Sequence, residues 1–536
     1  MCDQLRFDYL SCSGHPTIKT PNIDKLAKRG VMFSNAYCQS PICGPSRMSA
    51  YTGRYVSSHG SSSNFAPLRV GEKNIGHHLN SLGVRTVLVG KTHIIADQEG
   101  MQRLGVDAES AIGVHHAQAG FEVYERDDGV HPDTMVKPNL KYNEYLKSKG
   151  YDEDENPWHW AANSVATENG VRSGFFNDQV DLPARVSDED SETPYMTRRA
   201  IEFLSEDDGK SPWLLHLSYI KPHWPYVAPA PYNAMYSAED VIPANKAEHE
   251  LKDPNKLMGC FMNRVSGKTF GEDCAREKVI PVYMGLITQI DDQLGILFDF
   301  MEANGLMENT MIVFTSDHGD YLGDHWMGDK DYFHDPSVKI PMIIADPSQE
   351  ANKTRGTTDD SMVELIDLLP TFLEFYEGSV EKNVLDGLSL LPKIRGREAD
   401  WRSAVVSEYD YSCQVFRPEL ERMPLDCRSY MIADEKWKYI HAPGFPPVLF
   451  DRVNDPAELN DLGRNPEYEN ICDLMFKKLA DWSLQYRQRE TWTEDKNLHM
   501  TGLEEQLGVI IGYWDEKSAK GKDPKILPKR NPILKN

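Results

Sequence analysis

Ser40-Pro41-Ile42-Cys43-Gly44-Pro45-Ser46-Arg47-Met48-Ser49-Ala50-Tyr51-Thr52-Gly53-Arg54 places a cysteine, a proline and an arginine at alternate positions, Cys43, Pro45 and Arg47. The residues after them, Met48 to Tyr51, are able to open a helix. A thiol beside an arginine and near a helix N-terminus is placed to be a thiolate, since both neighbours favour the charged form. A cysteine at a helix start is also a common packing residue. The pattern therefore takes its meaning from what the rest of the chain sets beside it.

At 536 residues the chain exceeds a usual single core, and one large domain with a smaller one is expected. A hydrophobic content of 40% with 26% charged residues suits a globular protein. The formal charge of −25 argues against nucleic acid or an anionic membrane as partner. A small anionic ester is still compatible with it, because a local cluster of cations can dominate one pocket. No apolar run reaches the ~20 residues of a membrane span. The nine cysteines are scattered and odd in number, which fits reduced thiols better than a disulfide framework. With no signal segment ahead of Asp3-Gln4-Leu5-Arg6, a cytoplasmic location is expected.

Outward from the Cys43 segment the chain alternates strands and helices. Thr20 or Asn22 caps a helix striped by Ile23, Leu26 and Ala27. Arg85-Thr86-Val87-Leu88-Val89 reads as a strand ending in Gly90-Lys91-Thr92-His93. The following hundred residues, with Tyr151-Asp152-Glu153-Asp154-Glu155, read as a solvated insertion without chemistry. Trp213 to Tyr219 forms a buried strand that empties into Lys221-Pro222-His223-Trp224. A helix over about Val282–Met301 precedes the strand Met311–Thr315, which runs into Ser316-Asp317-His318-Gly319-Asp320. Ile340–Ile344 adds a strand and Leu365–Phe372 a helix. This alternation predicts an α/β sandwich with a large, mostly parallel sheet flanked by helices over residues 1–400. Short strands after Ala404 predict a small α+β domain over 401–495, with an antiparallel sheet and a closing helix near Ile471–Arg487. Residues 496–536 form an arm whose apolar run, Leu507 to Trp514, is expected to pack on another subunit, giving a dimer or tetramer.

Asp3, Lys91, His93, His223, Asp317 and His318 all fall at or just past the C-terminal ends of predicted strands, the edge where open α/β sheets bind ligands. Each alone has an ordinary structural explanation; six at one edge beside Cys43 make a site. Asp3, Gln4, Asp317 and His318 suit a hard divalent cation, Ca²⁺ before Mn²⁺ or Mg²⁺, rather than zinc. Arg47, Lys91 and Lys330 supply positive charge for a tetrahedral oxyanion ester. His93 and His223 can move protons.

The C-x-P-x-R pattern is too tight for the cysteine-dependent phosphatases, and the chain resembles instead the formylglycine-dependent sulfatases of the alkaline phosphatase superfamily. Gly90-Lys91-Thr92-His93 is similar to that family's second signature. Leu449-Phe450-Asp451 with Asp455-Pro456-Ala457-Glu458 resembles its C-terminal one. In that family Asp3 and Gln4 would end a longer apolar first strand, which is nearly absent here. The resemblance implies the alkaline-phosphatase-like fold and conversion of Cys43 to formylglycine by a maturation enzyme. It also implies a metal held by Asp3, Gln4, Asp317, His318 and modified Cys43, and a substrate contact at Asn64. Gln4 and His318 stand where Asp and Asn are commoner, a variation shared with phosphonate monoester hydrolases. The mechanism implied is in-line attack on sulfur by the hydrated aldehyde, its proton passing to Asp317. His223 with Lys330 serves the leaving oxygen, and His93 triggers release of sulfate. The expected activity is hydrolysis of aryl or alkyl sulfate monoesters, with phosphonate monoester or phosphodiester hydrolysis as the alternative. The segments at roughly 100–190 and 230–275 are expected to shape the pocket for the alcohol.

Overall fold

The computed structural model describes residues 1–133, 140–485, 491–507, 511–515 and 517–518. Its strands are β1 (Cys2–Asp3), β2 (Val31–Tyr37), β3 (Arg85–Gly90), β4 (Glu122–Arg126), β5 (Ser164–Thr167), β6 (Gly170–Ser173) and β7 (Trp213–Pro222). They continue with β8 (Ile312–Thr315), β9 (Met342–Ala345), β10 (Thr357–Glu364) and β11 to β14, which are Ala404–Asp410, Arg428–Asp434, Trp437–His441 and Val448–Asp451. Two four-stranded sheets, β10-β2-β9-β8 and β1-β7-β3-β4, are joined by a parallel bridge between Cys2 and Ser316. The result is one central sheet in which β9 alone runs antiparallel to its neighbours.

The strand sequences explain why both faces are covered. In β3, Leu88 joins one core while Val87 and Val89 join the other; in β9, Met342 and Ile344 oppose Ile343 in the same way. Successive side chains point to opposite faces, so apolar residues at every position require helices on both. Helix α1 (Pro21–Arg29) and the helices Glu192–Glu206 and Asp273–Ala303 cover one face; α2 (Cys43–Thr52) and Leu368–Phe375 cover the other. Because β1 is two residues long, the first halves of β7 and β8 face an apolar cavity of about 450 Å³, and the Met1 amine donates to Leu217 O at its end.

The structure adds to the sequence reading at three places. The stretch after His93 is not only a solvated insertion. It supplies β4, paired in parallel with β3 at the edge of the main sheet, and the β5–β6 hairpin. β10 was not legible, because Thr357-Thr358-Asp359-Asp360-Ser361 is polar; it pairs in parallel with β2 and is buried only from Met362 to Glu364. Cys43, read as lying near a helix N-terminus, is the first residue of α2 and 1% exposed, in a helix whose residues are all buried.

Strands β11 to β14 form an antiparallel meander covered by the helix Glu469–Gln485. Val405, Met431 and Phe450 from this sheet share a core with Met342 and Val338, so the sheet packs directly on the main body. The Asp-Pro-Ala-Glu segment docks it further: Glu458 Oε2 accepts from Asp335 N at 2.8 Å, and Lys438 Nζ donates to Asp335 Oδ1 at 2.6 Å. In the C-terminal arm, residues 508–510, 516 and 519–536 lie outside the described residues; of the expected contact run, Ile511 and Trp514 are exposed. No described helix is long and apolar enough to cross a membrane. All nine cysteines are free.

Candidate active site

Strand ends β1, β3, β7 and β8 deliver their residues to the N-terminus of α2. Gly90 makes the approach possible: its φ is +107°, and a Cβ there would lie 2.0 Å from Ser218 O on β7. The next residue, Lys91, turns inward with Nζ 2.5 Å from Asp3 Oδ2. Cys43 opens α2 with Sγ 3.1 Å from His318 Nε2, 3.2 Å from Lys330 Nζ and 3.6 Å from Asp3 Oδ1. Burial alone would push this thiol up, but Lys330, Lys91 and His318 hold it well below its ordinary value. The helix N-terminus adds positive potential at the same point. Asn64 Oδ1 accepts the Gly44 N–H at 2.8 Å, satisfying one amide of the first turn.

Ligand atoms of Asp3, Cys43, Asp317 and His318 all lie within 4.8 Å of one another, and all four residues are buried. Their arrangement fits a hard cation. His318 Nδ1 donates to Gly319 O at 2.9 Å, which leaves the Nε2 lone pair directed at the cluster. Burial opposes charge on this imidazole, yet Asp317 and the Cys43 sulfur raise its pKa to about 9. Gln4, with φ +64°, turns its amide nitrogen to Asp320 Oδ2 at 2.6 Å and Asp329 Oδ1 at 3.2 Å. Its Oε1 therefore points inward, where it accepts from Lys330 Nζ at 2.9 Å. The thiol occupies the place that the oxygens of a hydrated aldehyde would take.

Lys330 Nζ is also 3.1 Å from His223 Nε2, and His223 Nδ1 donates to Trp224 O at 2.5 Å. That bond assigns the proton of the neutral ring to Nδ1 and leaves Nε2 as acceptor. Burial, reinforced by Lys330, lowers the His223 pKa to about 4. Arg47 departs from its expected place on the ester: its fork is spent on Asp317, Asp3, Lys91 O and Ser218 Oγ. Its charge serves the ligand carboxylates. His93 is half-buried, its backbone N–H is held by Asp128, and its Nδ1 has no hydrogen-bond partner among the described residues.

Sequence reasoning missed the residues that hold these. Asp128, following β4, accepts from Thr92 N and His93 N at 2.9 and 3.0 Å and fixes the Lys91–His93 turn. Asp320 and Asp329 orient Gln4, and Tyr226 OH donates to Asp320 at 2.6 Å. Asp320, one residue past Gly319, was visible as part of the Asp317 segment; nothing in the sequence marked Asp128 or Asp329.

The sequence model of the sulfatase family matches residues 1–378, and that of the C-terminal part of N-sulphoglucosamine sulphohydrolase matches 323–485. The chain belongs to the sulfatase family of the alkaline phosphatase superfamily, and by that membership is a sulfuric ester hydrolase. It is 32% identical over 511 residues, 91% of this chain and 95% of the relative, to the multifunctional alkaline phosphatase superfamily protein PehA of Trinickia caryophylli. It is 28% identical to an arylsulfatase of Clostridium perfringens, covering 93% and 96% of the two chains. Among solved structures it is similar to the phosphonate monoester hydrolase of Agrobacterium radiobacter, with TM-score 0.77, 27% identity and 90% and 94% coverage. The family implies a metal ion and formylglycine, and the buried cluster around Cys43 has donors for both.

Proposed function

We propose that the protein hydrolyses sulfate monoesters at Cys43 converted to formylglycine, with phosphonate monoesters and phosphodiesters as weaker substrates. The observation that carries this reading is the Lys91-Thr92-His93 turn, fixed by Asp128 beside the Cys43 cluster. A sulfate monoester brings a single negative charge that Lys91 can meet, and its release from position 43 calls for a proton acceptor such as His93.

Asp3, Gln4, Asp317 and His318 would hold the metal, Ca²⁺ being favoured by the oxygen-rich set, and it would supply Lewis-acid charge to the ester oxygens. Hydrated formylglycine supplies one hydroxyl for attack and a second for release. The chain's own groups do the rest. Lys330 reaches both the position-43 atom and His223 Nε2, so the pair lies beside the leaving oxygen and can hand it a proton. Burial and Lys330 keep His223 neutral, while the Cys43 sulfur and Asp329 hold the Lys330 ammonium charged against the cost of its burial. Arg47 holds the Asp3 and Asp317 carboxylates in place through its guanidinium. His93, with its free Nδ1, takes the proton that sets sulfate loose.

The second reading, a phosphonate monoester hydrolase, draws on the similarity to the Agrobacterium radiobacter enzyme and on Gln4 and His318. Comparing kcat/KM for aryl sulfates and aryl phosphonate monoesters on matured enzyme decides between them. Faster phosphonate turnover overturns the sulfate assignment. Maturation requires a formylglycine-generating partner, and the exposed Ile511 and Trp514 favour self-association into a homo-oligomer.

A further inference from the structure

The short helix Trp158–Ala162 and the segment that follows β6, with Phe175 and Phe176, carry aromatic side chains that the chemistry above leaves unused. They stand in a row that begins at His223. Ring centroids of His223 and Trp224 are 4.3 Å apart, of Trp224 and Phe175 6.0 Å, of Phe175 and His159 5.4 Å, and of His159 and Trp160 4.3 Å. From the buried site the row reaches solvent at Phe175: His223 is 2% exposed and Phe175 37%, while His159 beyond it is buried again.

Most polar edges of these rings are already engaged, the exception being the buried His159 Nδ1. Trp224 Nε1 donates to Asp329 Oδ1 at 3.1 Å, Trp160 Nε1 to Asp133 Oδ1 at 2.9 Å, and His159 Nε2 is 2.8 Å from Ser173 Oγ. What the row has left to offer is ring face and ring edge, which recognise flat apolar groups. A sugar, by contrast, needs free donors and acceptors for its hydroxyls, since each one buried unpaired costs affinity.

We propose that this row is the leaving-group subsite, and that it selects esters of phenols and similar flat aromatic alcohols over esters of sugars. The proposal rests on the reading of His223 as the residue beside the leaving oxygen. A ring bonded to that oxygen meets Trp224 first and Phe175 next. The insertion thereby acquires a purpose: its Trp158–Ala162 helix and Phe175 extend an aromatic wall from His223.

Phe175→Ala and Trp160→Ala remove outer rings without touching the metal cluster. Steady-state kinetics of wild type and both variants on nitrophenyl sulfate and on a glucose sulfate, with inhibition by inorganic sulfate measured beside them, tests the proposal. Each ester is compared with itself across variants, so intrinsic leaving-group reactivity cancels. The expected result is about a tenfold loss of kcat/KM on the aryl ester, mostly in KM, with sugar ester and sulfate inhibition unchanged. Equal losses on both esters, no loss on the aryl ester, or a wild type that prefers the sugar ester overturns it. Turnover of aryl phosphonates but not of sulfates would sink the sulfate reading instead, and the same variant comparison on aryl and alkyl phosphonates would then test the row.

Discussion

Arg47 Nε donates to Asp317 Oδ2 at 2.7 Å where neither side chain has any solvent exposure. The same guanidinium reaches Asp3 at 3.1 Å, Lys91 O at 2.9 Å and Ser218 Oγ at 2.8 Å. One side chain thus ties the ends of β1, β3, β7 and β8 together. Arg47→Ala leaves two carboxylates buried without this counter-charge and is expected to cost about 3–5 kcal/mol of unfolding free energy in chelator. Arg47→Lys keeps the charge but loses the fork, and should recover only part. Urea unfolding measures both. A change below ~1 kcal/mol for the alanine variant would show that the arginine is not what holds the ligands.

Cys43 is packed into the first turn of a buried helix, so its replacement separates chemistry from folding. Peptide mass spectrometry on enzyme from a host with the maturation activity should find an aldehyde at position 43. Cys43→Ala should abolish turnover while keeping one cooperative unfolding transition, because alanine suits the helix and leaves only a small gap. Fully active protein with an intact thiol would end the formylglycine reading.

Much of this was legible where the sequence concentrates chemistry at strand ends. β3, β7 and β8 are apolar runs that stop at Lys91, Pro222 and Asp317, and the stop itself points to the edge. β10 was hidden because an edge strand paired to β2 can be polar for most of its length. Asp128 was hidden for another reason. A carboxylate that caps backbone amides is indistinguishable in sequence from any acidic loop residue, and only the pairing of β4 with β3 brings it to the turn. Arg47 was read as supplying charge to the ester because charge is visible in sequence, whereas its engagement by Asp3 and Asp317 is not.

Glu408 is a buried carboxyl whose Oε1 accepts from Ser57 N at 2.9 Å. Burial, with Asp386 nearby, raises its pKa from 4.5 to about 7 against the pull of Ser57. The folded state therefore binds this proton more tightly than the unfolded chain. Its contribution is fully present below the unfolded value near 4.5 and is lost as pH rises through about 7. Unfolding free energy should fall over that window by roughly 3 kcal/mol at most from this group. Glu408→Gln keeps the acceptor for Ser57 and cannot ionise, so it should flatten that part of the profile. An unchanged slope between pH 5 and 7 would assign the loss to other groups.

His93 has φ +57°, a strained setting for a non-glycine residue, and Asp128 holds it there through the Thr92 and His93 amides. Arg126 Nε steadies the far oxygen of Asp128 at 2.9 Å. If the histidine removes the proton that releases sulfate, His93→Ala should give a burst of phenol equal to the enzyme concentration, followed by slow turnover. Added imidazole should restore part of the slow phase. Asp128→Ala leaves the imidazole in the protein but frees its backbone, and is expected to lower kcat by about tenfold to a hundredfold without rescue by imidazole. Rapid-quench kinetics on an aryl sulfate reads both variants. A His93→Ala enzyme that turns over normally, or one slowed before the burst, would move the base to another residue.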